Sequence, residues 1–234
     1  VAKQEGIVDQ ANRELRQALE RAQSFDEVTD LLERCVENPI KVTEIVVPIL
    51  YRQKTRLNAR ALTALSGLAP GIRVLKLGFV DFDWGPLDNA RAVFSRFTNL
   101  THLTVRTPGR EFARAVVLQA LRASSETIEI LEVDVDTQIN WLVVPGLQLP
   151  RLHTLGIGVK NINLTTSSLL EALESWPSLR TLRMGTTDLD LLFNLWVDNP
   201  LPRAPIESIR VFRYGDPAWS SVPELPRYTN LRRY

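Results

Sequence analysis

The sequence predicts an α/β solenoid, with parallel strands along a concave side and helices along a convex side. Two observations predict it: a six-residue apolar pattern that recurs along the chain, and stretches of helical period between its occurrences. The pattern puts aliphatic residues at the first, fourth and sixth positions of each unit, where a strand and its approach turn inward. Seven segments fit it in order: VTEIVV from Val42, IRVLKL from Ile72, LTHLTV from Leu100, IEILEV from Ile128, LHTLGI from Leu152, LRTLRM from Leu179 and IESIRV from Ile206. An eighth begins at Leu231 and stops. Successive starts lie 30, 28, 28, 24, 27, 27 and 25 residues apart, an average of 27. This pattern and period are those of leucine-rich repeats, whose units run to roughly 20–29 residues.

Residues 1–39 precede the array and read as a helical N-terminal cap, which a solenoid needs to cover its first apolar face. Ile7, Ala11, Leu15, Ala18, Leu19 and Ala22 share one helical face. Ser24 with Glu27 then makes a capping box that opens a second helix. Phe25, Val28, Leu31, Leu32, Cys35 and Val36 form its stripe, which stops before Pro39. The solenoid is expected over 40–234. Its outer layer holds four clear helical stripes: Leu87, Ala90, Val93, Phe94 and Phe97; Val117, Ala120 and Leu121 within 114–123; Leu169, Leu170, Leu173 and Trp176; and 189–197, with Asp188 as N-cap. Between Ile128 and Leu152 the spacing is shortest and Pro145, Gly146 and Pro150 predict a loop. Three residues beyond the sixth position stand Val80, Pro108, Asp136, Lys160, Thr187 and Tyr214, so no asparagine ladder serves the turns and an irregular curvature is expected.

Composition narrows the function. Lys plus Arg number 28 against 27 Asp plus Glu, a net charge of +1, which lacks the electrostatic footprint of a nucleic-acid or anionic-membrane binder. No apolar run reaches the roughly 18 residues of a membrane span, and VAKQEGIVDQ has no signal-peptide layout. The single cysteine, Cys35, allows no internal disulfide, so an intracellular setting, cytoplasmic or nuclear, is expected. A start without Met is expected of a fragment or a processed form.

Chemical motifs are scarce. No glycine-rich phosphate loop, His-Glu-x-x-His helix or Gly-x-Ser-x-Gly elbow occurs, so catalysis and cofactors are not expected. His102 and His153 stand at third and second positions without a cysteine or carboxylate cluster, which predicts surface or packing roles and no metal. Cys35 reads as a buried, inert thiol. Asp81 and Asp83 flank Trp84 in VDFDWGP, a pattern more typical of a turn than of an acid/base pair. The Asn-Leu-Thr sequons at Asn99 and Asn163 matter only in a secreted protein. Trp141 and Trp196 lie in apolar runs and read as core, and Trp219 is a further aromatic.

A binding role follows from strand geometry, because the third, fifth and seventh positions alternate outward from the inward set. The third row reads Glu44, Val74, His102, Ile130, Thr154, Thr181 and Ser208, and the fifth Val46, Lys76, Thr104, Glu132, Gly156, Arg183 and Arg210. The seventh supplies Gly78, Arg106, Asp134, Gly158, Gly185 and Phe212. Glu132 and Asp134 put negative charge mid-array, while Arg183 and Arg210 put positive charge toward its end. Gly156, Gly158 and Gly185 are expected to leave an open floor between them, where a partner backbone could come close. Arg183, Arg210 and Phe212 lead as interface anchors, with Glu132, Asp134, Arg106, Lys76 and His102 around them. The expected partner is a protein or peptide. The other expectation is a structural subunit of a larger assembly, its last strand edge pairing with another chain.

The phrases FTNLTHLTV, SSETIEILEV, LQLPRLHTLGIG and SWPSLRTLRMG resemble the repeats of fungal F-box proteins, and FDEVTDLLERCVENPIKVTEIVV is similar to the helix and first strand that open such arrays. The resemblance covers residues 25–234. It implies the substrate-recognition part of a ubiquitin-ligase receptor, docking an adaptor through an F-box. No Leu-Pro-x-Glu helix set precedes Ser24, so the resemblance puts that F-box outside this chain or leaves it absent altogether.

Overall fold

The computed structural model of the chain describes residues 2–38, 40–47, 55–78, 80–82, 87–107, 110–135, 146–158, 176–185 and 208–212. They form an α/β structure of helices and parallel strands. In chain order the elements are α1 (Ala2–Arg21), α2 (Phe25–Glu37), β1 (Glu44–Val47), β2 (Thr55–Leu57), α3 (Ala59–Leu68), β3 (Val74–Leu77), β4 (Val80–Phe82), α4 (Leu87–Phe94), β5 (His102–Thr107), α5 (Arg110–Ala123), β6 (Ile130–Val135), β7 (Thr154–Gly158), β8 (Thr181–Gly185) and β9 (Ser208–Phe212). Two compact units divide the chain, residues 1–128 and 129–234.

In the first unit β1, β3 and β5 run parallel, with Glu44 opposite Val74 and Val74 opposite His102. A short parallel pair, β2 with β4, follows them. Strand β4 takes up Val80, Asp81 and Phe82, which the sequence reading had treated as turn. Helices α2, α3, α4 and α5 pack in a row, each against the next, and α1 packs on β1. Helix α3 was not foreseen. Asn58 marks its start in the sequence, and its side chain caps it by accepting the Ala61 N–H at 3.0 Å, while Ala61, Leu62, Ala64 and Leu65 are buried.

The N-terminal helices are held by identifiable devices. Ser24 Oγ accepts the Glu27 N–H at 3.3 Å and the Glu27 carboxylate accepts the Gln23 N–H at 2.8 Å, a reciprocal cap that stops α1 and starts α2. Arg60 on α3 binds Glu33 and Asp30 on α2. Only the second half of the α1 stripe is covered: Leu15, Leu19 and Ala22 are buried, but Ile7 is exposed because no described element packs over the first turns. Asn12 ties α1 to the sheet. Its Oδ1 accepts the N–H groups of Thr43 and Glu44 at 2.9 and 3.2 Å, and its Nδ2 donates to Thr43 Oγ1 at 2.9 Å, so the strand edge that lacks a neighbour is satisfied by a helix side chain.

In the second unit β6, β7, β8 and β9 run parallel, with Ile130, Thr154, Thr181 and Ser208 in one register row. Gly146, at φ +83, begins the described turn before β7, within the span expected to loop. The rest of that loop, 136–145, lies outside the described residues, as do the expected helix 189–197, Trp141, Trp196, Trp219, Asp83, Trp84 and Asn163. Trp176 is buried and opens a turn, its carbonyl accepting the Leu179 N–H, while Leu169, Leu170 and Leu173 of the same expected stripe lie outside the described residues. Phe97 holds the equivalent place before Leu100, past the end of α4 at Phe94. Both had been assigned to helical stripes. Each is buried in the turn that leads into a strand's first apolar position.

Within each unit the repeat shows in the bonding. The second-position carbonyl of one strand receives the second- and third-position N–H groups of the next: Thr43 from Arg73 and Val74, Arg73 from Thr101 and His102, Glu129 from His153 and Thr154, and His153 from Arg180 and Thr181. First and fourth positions are buried at β1, β3, β5, β6, β7 and β8, and Val47, Leu77, Val105, Val133 and Ile157 bury the sixth. In place of an asparagine ladder, different side chains stitch neighbouring turns. Asn99 donates to the Pro70 carbonyl at 2.9 Å, Ser178 to Pro150 at 2.6 Å and Thr127 to Leu100 at 2.7 Å. Buried Ser124 donates to the Phe97 carbonyl while accepting the Leu100 N–H.

Candidate functional site

The outward rows fall in register within each unit, so the residues singled out from the sequence have definite neighbours. On the first unit, Lys76 sits on β3 between Val46 and Thr104 in the fifth row and is half-buried. His102, opposite Val74, turns its Nε2 to Thr104 Oγ1 at 3.1 Å, the residue two ahead on the same face. Arg106 follows at the seventh position, half-buried and engaged within the chain. Thr104 itself is buried, a member of this face that sequence reading left aside because a threonine carries no charge to mark it.

On the second unit the fifth row runs Glu132, Gly156, Arg183, Arg210 across β6 to β9, and the seventh row Asp134, Gly158, Gly185, Phe212. Asp134, Arg210 and Phe212 are placed by this register alone. The structure joins Glu132 and Arg183. Arg183 Nη1 donates to Glu132 Oε1 at 2.5 Å, with the two side chains 29% and 9% exposed. The pair spans two inter-strand steps of about 4.8 Å each, passing over β7 at Gly156. A longer side chain there would stand in the path of the guanidinium. The two charges expected to form separate patches are therefore one neutralised bridge, and the floor expected to be open is crossed by it at Gly156. The physical reason is burial: a carboxylate this far from water needs a charged partner, and Arg183, two strands away, supplies one.

Burial has a second consequence. Arg183 Nε is also buried and has no hydrogen-bond partner among the described residues. The bond to Glu132 uses Nη1 alone, and Nε stands on the other edge of the guanidinium, the one it forms with Nη2. His153, at the second position of the β7 unit, lies with Nδ1 3.0 Å from Thr154 Oγ1 and Nε2 4.0 Å from Glu129 Oε2. Both partners of that contact are half-exposed, so it contributes little even when the imidazole is protonated.

Other titratable groups offer less. Cys35 is half-buried on α2, not fully buried as expected, and desolvation pushes its thiol above the usual cysteine range, with Arg34 opposing weakly. Among the described residues no group of three or more His, Cys, Asp or Glu is placed to hold a metal ion, and no helix is long and apolar enough to cross a membrane. Compared with family models and with curated proteins, the chain matches none.

Proposed function

We propose that the chain is a leucine-rich-repeat solenoid that acts as a non-catalytic interaction module, binding a protein or peptide along the outward rows of its strands. The observation that carries this reading is the alternation itself. First and fourth positions are buried from β1 to β8 of the repeat strands, as is the sixth wherever it is described, while the rows between them are mixed: Glu44, Val74, Lys76, His102, Ile130 and Arg183 are half-buried and Thr104, Glu132 and Thr154 are buried polar groups, all in strict register. A parallel sheet covered on both faces would bury both sets. The mixed, ordered face is what a partner with its own mixed surface would fit.

The resemblance of the repeat phrases to those of fungal F-box proteins supports the narrower reading of a substrate-recognition part of a ubiquitin-ligase receptor, with the adaptor engaged by a region outside this chain. The test is affinity purification of the full protein from its own cells followed by mass spectrometry. Wild type would be compared with Lys76→Glu on one unit's face, Arg210→Glu on the other's, and Arg91→Glu on the exposed side of α4 as control. Recovery of a ligase adaptor, with a second protein lost only in the face variants, is the expected outcome. A fixed stoichiometric assembly insensitive to the face variants would replace this reading with that of a structural subunit.

A further inference from the structure

Resting on that reading, the geometry points to a carboxylate subsite at Arg183: the face takes an acidic side chain or a C-terminal carboxylate of its peptide partner on the Nε and Nη2 edge of this guanidinium. Three observations carry it. Glu132, nine-tenths buried, accepts from Nη1 at 2.5 Å and so keeps the arginine head over Gly156, where no side chain competes for the space. Nε lies buried without a partner among the described residues, and a desolvated donor left unmade is costly, so an acceptor arriving there is favoured by more than an ordinary surface bond. Nε and Nη2 form a planar fork whose spacing matches the two oxygens of a carboxylate.

An incoming carboxylate would complete the hydrogen bonding of this arginine head. It needs a small outward shift of the Arg183 head to bring Nε into reach, which the 29% exposure of that side chain leaves room for.

The experiment uses the full chain and fluorescein-labelled hexaglutamate, hexaglutamine and hexalysine peptides, read by fluorescence anisotropy at low salt. Variants are Arg183→Lys, which keeps the charge but not the fork, and Thr181→Trp, which blocks the same face one outward position earlier on β8. Expected are preference for hexaglutamate over the other two, and a loss of about tenfold in Arg183→Lys. Equal binding by wild type and Arg183→Lys overturns the proposal, as does the absence of hexaglutamate binding. If hexaglutamine or hexalysine binds instead and Thr181→Trp abolishes that, the carboxylate subsite falls and the peptide-binding face stands. If no peptide responds to Thr181→Trp, both fall. Should Arg183→Lys fail to fold, arginine side-chain NMR of the wild type decides: hexaglutamate must shift the Arg183 Nε–H resonance, and an unmoved resonance refutes the subsite.

Discussion

Cutting the Glu132–Arg183 bridge from either end should cost unequal amounts. Arg183→Met leaves a carboxylate that is 9% exposed without its guanidinium. Breaking a buried pair in this way costs about 3–5 kcal/mol, and the partial access of water through the Arg183 side selects the lower end, about 3 kcal/mol. Glu132→Gln instead leaves a guanidinium that is 29% exposed on a flexible stem that can swing toward solvent, and an amide oxygen still able to accept. Its cost should be about 1 kcal/mol. In the double variant that buried charge is gone, so the total should fall below the sum of the singles by about 1–2 kcal/mol. Urea unfolding of the four proteins at 25 °C and neutral pH, followed by circular dichroism, gives the cycle. Equal single costs, or a double variant equal to their sum, would refute the claim that burial of Glu132 is what makes the pair matter.

Three further outcomes test the fold around this face. Leu103→Ala, at a fully buried fourth position of β5, should lower stability by about 3 kcal/mol; a loss under about 1 kcal/mol would mean that this position is not part of a packed core. Asn12→Ala removes three hydrogen bonds to the start of β1 and should cost about 1–2 kcal/mol while speeding deuterium exchange at the Thr43 and Glu44 amides, and unchanged exchange there would dismiss α1 as the edge cover. Cys35, its thiol pushed up by burial, holds less thiolate at any pH below its folded value than a free cysteine does. Iodoacetamide should label it more slowly than free cysteine at pH 8, with the gap closing as pH rises, whereas equal rates would contradict its burial.

The buried register was legible in the chain because it depends on local quantities. Wherever their burial is described, the aliphatic residues at first, fourth and sixth positions bury the same way, since a strand alternates with period two and a constant spacing brings equivalent positions side by side. The outward rows followed from the same arithmetic, as did α2, whose Ser24 and Glu27 lie three residues apart. Helix α3 carries the same local signals, an Asn58 cap and the Leu62–Leu65 spacing, yet lies outside the four helical stripes expected from the sequence. Partnership across the face was another matter. Glu132 and Arg183 are 51 residues apart, and Asn12 and Thr43 are 31 apart. Nothing in either residue's neighbourhood names its partner, since the choice depends on which strands adjoin, which one offers a glycine to cross, and how deeply packing buries the carboxylate. Ile7 makes the same point in reverse, for its helical stripe matches that of Leu15 and Leu19 and only the reach of the underlying sheet leaves it in water. Period and polarity could thus be read from neighbours along the chain, while the pairing of charges waited on the desolvation that three-dimensional packing imposes.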